Sequence, residues 1–213
     1  MPRTNKNDGK RPVITLPREQ QLEVRAAIKE KYRLVASDAT GFFTYQTGRQ
    51  GALALGYDSE VVATLPDVVL QSFCGVGNPF SIAPIQAGAL VLDIGCGAGF
   101  DMIVAARYVG ERGVVHGVDL TPEMIERAML SMTITDTTNG YVHIVTEEEL
   151  PYDDASFDVV ISNGVINLSV DKPRLFSEIY RVLKPGGTLQ FADVIQSGEN
   201  SPPPAKSAES WAQ

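Results

Sequence analysis

Cysteine is scarce in this chain, and the scarcity excludes two classes of architecture. Cys74 and Cys96 are the only two cysteines in 213 residues, too few for a disulfide framework. Neither has a partner at metal-ligand spacing, with only His116 and His143 to assist. Free thiols and no metal site are expected. Basic charge is also in short supply. Eighteen Lys and Arg face 26 Asp and Glu, a net charge of −8 at pH 7, which works against a polyanion whose affinity rests on basic side chains at phosphates. A nucleic-acid partner is not expected, and a small or neutral substrate fits better. No run of about 18 apolar residues exists to span a bilayer. The polar start MPRTNKNDGKRPVITLPREQ also lacks the apolar stretch of a secretory signal. A cytoplasmic location without membrane contact is the expectation.

What is present is one domain's worth of chain. Residues 1–17 are polar, hold Pro12 and Pro17, and read as a flexible arm. A helix is expected over 18–36, with Leu22, Ala26, Tyr32 and Leu34/Val35 along its apolar side. Up to residue 85, short apolar pieces punctuated by Gly and Pro, with a brief helical candidate SEVVATLPDVVLQSF, read as a helical cap. From 86 to 195 the pattern turns regular. The apolar runs ALVLDIG, GVVHGVDL, YVHIVT, FDVVISNG and GGTLQFADV alternate with the helical segments FDMIVAARYVG, TPEMIERAMLSM and DKPRLFSEIYRVLK, except that EEELPYDDAS reads as a loop. Nearly continuous apolar strands between helices predict a doubly wound α/β domain with a mostly parallel sheet. Thr121 with Pro122 marks a helix start and Lys184-Pro185-Gly186-Gly187 a stop. Residues 196–213, rich in Ser, Pro and Ala, read as a flexible tail.

Chemistry concentrates in VLDIGCGAGF, residues 91–100. In an open parallel sheet, ligands bind beyond the carboxyl ends of the strands, where the first strand meets the next helix. Gly95 and Gly97 are expected to let the backbone touch a ligand, and Gly99 to let the helix lie close on the strand. A dinucleotide fingerprint fails here, because its last position, counted from Gly95, falls on Phe100. Asp93 ends the first strand, where a carboxylate repels a pyrophosphate and suits a cation. Asp119 ends the second strand, placed to accept both hydroxyls of a ribose. Two carboxylates without a phosphate-binding Lys or Arg point to S-adenosylmethionine, with S-adenosylhomocysteine as product. Leu120 and Met124 stand where they could flank the adenine, and Thr146 or Glu147 where they could meet its amino group. A core position, or a solvated acidic run, is the structural alternative for these residues.

Taken together, VLDIGCGAGFD, GVDLTPEMIERA and the run from Leu150 to Val194 resemble the class I S-adenosylmethionine-dependent methyltransferases. The nearest branches are the quinone-biosynthesis and arsenite enzymes. The resemblance implies a Rossmann-like methyltransferase fold. It places Asp93, Gly95, Gly97 and Gly99 on the methionine side, with Cys96 packed under the cofactor, and makes Asp119 the ribose clamp. It puts Thr146 and Glu147 at the adenine and Asn163 beside the methyl group. It also implies a sheet continued by a C-terminal hairpin, and nothing after Val194 reads as strand. A homodimer or the cap is one way of covering the exposed sheet edge. The arsenite branch carries cysteines where this chain has Val76 and Gly164, so its thiolate-bound substrate does not transfer.

Methyl transfer from a sulfonium is an in-line displacement that depends on positioning and exclusion of water. No catalytic side chain is singled out, and neither histidine ends a strand. Among the cap aromatics, Phe73 and Phe80 read as core and Tyr45 as the best candidate for a cofactor contact. The expected function is methyl transfer to a small-molecule acceptor. A cofactor-binding but inactive or regulatory domain is the main alternative, and a nicotinamide oxidoreductase the weaker one.

Overall fold

The computed structural model describes residues 16–195. The expected tail, and all of the expected arm except Leu16 and Pro17, lie outside them. Helix α1 (Arg18–Val35) is followed by three short helices, α2 (Gly48–Ala54), α3 (Ser59–Thr64) and α4 (Asp67–Leu70). The alternating region then runs β1 (Leu90–Ile94), α5 (Phe100–Val109), β2 (Val114–Asp119), α6 (Pro122–Ile134), β3 (Gly140–Ile144), β4 (Phe157–Asn163), α7 (Lys172–Val182) and β5 (Leu183–Ala192). No helix stands between β3 and β4, as the loop-like EEELPYDDAS predicts. Among the described residues no helix is long and apolar enough to cross a membrane.

The five strands pair in the order β3-β2-β1-β4-β5, every pair parallel. The order reverses at β1, whose neighbours are β2 and β4, and the crevice at such a switch point is where doubly wound sheets take ligands. Successive side chains of a strand face opposite sides, so one apolar run serves two cores. Val91, Val159 and Ile161 join the core built with α5 and the cap helices, while Leu92, Val160 and Ile94 join the core under α7. A fully buried Leu92 contributes roughly 1.5–3 kcal/mol on removal from water. Asp93 shares the Val91 face at the strand's end, which brings a carboxylate to the top of the α5 side.

Three expectations need correction. The buried stripe of α1 is Val24, Ile28 and Val35, with Arg25 also buried, whereas Leu22 and Leu34 are exposed. Val24, Ile28, Tyr32 and Val35 follow helical spacing equally well, and the body of the protein selects that stripe. The candidate SEVVATLPDVVLQSF splits into α3 and α4 because Pro66 cannot continue a helix. The Lys184-Pro185-Gly186-Gly187 stop does follow the end of α7 at Val182, but the segment is a bulge inside β5 and not a loop before it: pairing jumps from Phe157↔Leu183 to Val159↔Thr188. Gly186 takes the left-handed φ of 83° that this bulge requires.

Candidate functional site

The carboxyl ends of β1, β2 and β4 open on one cavity, roofed in part by Arg25, Ile28 and Tyr32 of α1. The loop between β1 and α5 forms its floor. Gly95, Gly97 and Gly99 all hold left-handed φ angles, of 71°, 51° and 85°, in which a side chain is strained. The loop is pinned to β2 from two directions. Gly95 N and Cys96 N donate to Val118 O at 2.8 and 3.0 Å, and Gly97 N donates to Asp119 Oδ2 at 2.9 Å. The other oxygen of Asp119 accepts from Thr121 N at 2.8 Å. Thr121 therefore stands at the N-cap of α6 with Pro122 behind it, yet its own side chain makes no cap bond. Each oxygen of Asp119 keeps a second lone pair, so the loop anchor retains acceptor capacity toward the cavity.

Three carboxyls converge here. Asp93 is 2% exposed, and its Oδ2 is buried with no hydrogen-bond partner. Burial drives its pKa well above the usual range, and the fields of Asp101 and Asp119 add to the rise. Asp101, at the first turn of α5, accepts from Tyr57 Oη at 2.6 Å and from Asn163 Nδ2 at 3.0 Å. Burial pushes it up to about 6 despite those two bonds. Asp119 is also raised by burial, against the pull of its backbone N–H bonds. A buried carboxylate with an unmatched oxygen is costly, and a cationic ligand is what this arrangement best offsets. It is a poor seat for a pyrophosphate.

The glycines divide their roles differently from the sequence expectation. A Cβ on Gly95 would strike the methyls of Val165 from the segment after β4, so protein fills that approach. A Cβ on Gly99 would lie 3.2 Å from Ala128 Cβ, which makes Gly99 a contact with α6 and not with its own strand. At Gly97 nothing comes closer than Met124 Sδ at 3.9 Å. Of the three, only Gly97 leaves free space where its side chain would be.

The remaining predicted positions separate. Leu120, Met124, Cys96 and Glu147 line the cavity, and Tyr45 and Thr146 do not. Tyr45 is turned aside because its Oη donates to Cys74 O at 2.9 Å. Thr146 is exposed at the end of the β3 edge. Cys96 packs into the core beneath the loop, close enough to Gly117 to exclude a side chain there. Asn163 lines the cavity but is committed to protein. Its Oδ1 accepts from Val76 N at 2.8 Å and Gly77 N at 3.2 Å, and its Nδ2 donates to Gly77 O, Tyr57 Oη and Asp101 Oδ2. It acts as a clamp between β4 and the loop before β1. Phe73 packs in the core as expected and Phe80 against it.

Sequence reasoning missed Asp101, Arg25 and Glu148. Asp101 had a signal, since it directly follows GAGF at the start of a helix. Glu148 belongs to the EEE run that reads as solvated, yet it is 8% exposed. It pairs with the Arg25 guanidinium of α1, and Ser169 Oγ donates to its other oxygen at 3.0 Å. Glu147 carries looser pairs with Arg18 at 3.8 Å and Arg174 at 3.6 Å.

Comparison with known proteins agrees with this geometry. Over 189 residues the chain is 38% identical to an arsenite methyltransferase of Halobacterium salinarum, covering 82% of this chain and 48% of that protein. It is 37% identical over 113 residues to a demethylmenaquinone methyltransferase of Listeria monocytogenes, covering 53% and 47%. Among solved structures, an arsenic(III) S-adenosylmethionine methyltransferase from Chlamydomonas reinhardtii superposes with a TM-score of 0.50 at 42% identity, covering 68% of this chain and 48% of that one. The chain thus spans about half the length of these relatives. A family model for the methyltransferase domain matches residues 85–212, which takes in the whole sheet, the glycine loop and both strand-end acids. By that match the chain belongs to the methyltransferase-domain family.

Proposed function

We propose that this chain binds S-adenosylmethionine in the cavity beyond β1 and β2 and directs its methyl group to a small-molecule acceptor. The observation that carries the reading is the unpartnered, buried Asp93 Oδ2 beside a loop whose Gly97 leaves room for a ligand. When bound, the cofactor supplies a methyl on a sulfonium, open to in-line attack, with S-adenosylhomocysteine as the leaving product. The residues contribute binding and orientation. Asp119 accepts from the ribose hydroxyls while holding the glycine loop, and Leu120 and Met124 flank the base. Asp93 sets a negative field at the methionine end. Helix α1, tied down by Arg25 and Glu148, excludes water from above. The methyltransferase core runs over 86–195 and the cap over 18–85. An acid catalyst is not required, because a sulfonium leaves readily.

The acceptor belongs to the small-molecule classes of the relatives, and the site sets one constraint on it. Of the two thiols lining the cavity, Cys96 is packed into the core beneath the loop, and burial pushes Cys74 up to about 12, so it stays protonated at neutral pH. Val76 and Gly164 lie side by side, a Cβ on Gly164 falling 3.4 Å from Val76 Cγ1. Neither supplies a soft ligand, so a metalloid would have one protonated thiol to meet it.

The test is thermal unfolding with S-adenosylmethionine, S-adenosylhomocysteine and NAD, followed by an assay of S-adenosylhomocysteine release with arsenite and with a demethylmenaquinone as acceptors. Stabilisation by both sulfur nucleosides and not by NAD is expected, with turnover on one acceptor. A response to NAD alone overturns the reading, and binding without turnover on any acceptor reduces it to a cofactor-binding domain.

A further inference from the structure

Resting on that cofactor reading, we propose that helix α1 is a lid over the bound nucleoside and that Arg25 and Glu148 are the positioning residues that latch it, setting how fast the ligand exchanges. Arg25, Ile28 and Tyr32 of α1 line the cavity, so a nucleoside seated there lies beneath the helix. The two ends of α1 are held differently. At the C-terminal end Ser72 Oγ donates to Ala36 O at 2.7 Å and Gln71 Nε2 to Ser37 O at 2.8 Å. Ala39 N donates to Gln71 O at 2.9 Å, and Val35 and Ala36 pack with Ala98 of the glycine loop and with Met124. This end is fastened to the body. Toward the N-terminal end, Val24 and Ile28 rest on Val170, and the Arg25 guanidinium pairs with Glu148. Glu148 Oε1 accepts from Ser169 Oγ at 3.0 Å, and the same hydroxyl accepts from Asp171 N at 3.2 Å. The pair thereby joins three walls of the cavity: α1, the loop after β3 and the loop after β4. Glu147 and Leu150 near Glu148, and Leu168 and Val170 beside Ser169, line the cavity as well. A ligand that fills it therefore fixes the two loops on which the latch closes.

An ion pair suits a latch better than an apolar contact does. Both side chains are buried, so closing takes two charges out of water at a cost that nearly cancels their attraction. Opening returns each charge to solvent. Closed and open lids are thus near in free energy, as a lid that must release product requires. With one partner removed, the closed lid buries an unpaired charge and the open lid is favoured. With both replaced by apolar side chains of similar volume, closing buries no charge and the lid holds at least as well.

The test is the dissociation rate of S-adenosylhomocysteine, read by surface plasmon resonance on the unaltered protein and two variants. Arg25→Met is expected to speed dissociation about tenfold, whereas Arg25→Met/Glu148→Met is expected to return it to the unaltered rate or below. A pair that only supports the fold would lower the melting temperature of both variants without producing that order. Arg25→Met leaves Glu148 unpaired and can fail to fold, so the unaltered protein gives a further arm. Helix α1 carries Arg18, Arg25, Lys29, Lys31 and Arg33, and tryptic cleavage at these residues, mapped by mass spectrometry, should slow about tenfold at saturating S-adenosylhomocysteine. Unchanged dissociation in both variants, equal acceleration in both, or cleavage of α1 indifferent to the ligand overturns the proposal while the cofactor reading stands. If the unaltered protein binds no S-adenosylhomocysteine, both fall together.

Discussion

The mouth of β1 and β2 and the mouth of β4 lie side by side in one cavity, yet their polar groups are arranged in opposite ways. At β4 every hydrogen-bonding atom of Asn163 is matched by protein, through Val76, Gly77, Tyr57 and Asp101, and Gly164 N donates to Ala192 O at 2.8 Å. At β1 the buried Oδ2 of Asp93 is left without a partner, and three acids line the same cavity. Buried polar groups are almost always satisfied, so the matched side reads as architecture. The unmatched side reads as a place prepared for something else. Lining a pocket, by itself, distinguishes neither.

The largest effect that sharpens this contrast is Asp119→Ala. It removes a charged acceptor from Gly97 N and Thr121 N as well as the proposed ribose clamp, and charged hydrogen bonds contribute about 1.5–3 kcal/mol each. Affinity for S-adenosylhomocysteine should fall by at least about 100-fold in calorimetry, and the ligand-induced rise in melting temperature should disappear. Asn163→Ala should show the converse. Leaving Val76 N and Gly77 N without their acceptor costs about 2–4 kcal/mol of unfolding free energy, measured in urea. Affinity should change much less than for Asp119→Ala. A variant at Asn163 that binds poorly but unfolds normally would break the division.

How much of this was legible beforehand depends on the distance over which each feature is decided. The strands were readable because ALVLDIG and FDVVISNG are apolar on both faces, a local signature of a sheet covered on two sides. Asp93, Gly97 and Asp119 were readable because spacing along one β-α-β unit sets their positions. Helix α2 was not, since GRQGALA carries two glycines. The segment is held by Arg49, whose guanidinium donates to Val62 O and Leu65 O at 2.6 and 2.7 Å. The burial of Glu148 was equally illegible, because its partner Arg25 is 123 residues away in sequence. The buried face of α1 falls in the same class: two stripes fit its pattern, and only the tertiary packing chooses between them.

A smaller effect follows from the acids themselves. A carboxyl raised to about 6 in the folded protein, against about 3.9 when unfolded, favours folding when protonated. Its contribution is therefore greatest below about pH 4 and is lost as the pH rises through 6. For Asp101 the span is about 2–3 kcal/mol. Asp158 and Glu178, which are held below their usual range, act in the opposite sense. The readout is therefore the difference between the unaltered protein and Asp101→Ala in urea unfolding without ligand. That difference should shift toward the variant between pH 4 and pH 7, and a flat difference would mean that the acid cluster is not strained.

The finest test pairs two glycines with similar backbone demands. Gly97 and Gly164 both hold left-handed φ angles, of 51° and 73°, so an alanine at either is strained by roughly 1 kcal/mol. Neither Cβ meets a severe clash: the nearest atoms are Met124 Sδ at 3.9 Å and Val76 Cγ1 at 3.4 Å. Stability should therefore fall alike in Gly97→Ala and Gly164→Ala. Binding should not. The Gly97 methyl occupies the gap left free on the β1–β2 side, whereas the Gly164 methyl rests on Val76 on the side already filled by protein. S-adenosylhomocysteine should bind Gly97→Ala about tenfold more weakly and Gly164→Ala nearly as before. Equal losses in calorimetry would show that the two mouths form a single ligand surface, and the contrast between matched and unmatched groups would carry no functional meaning.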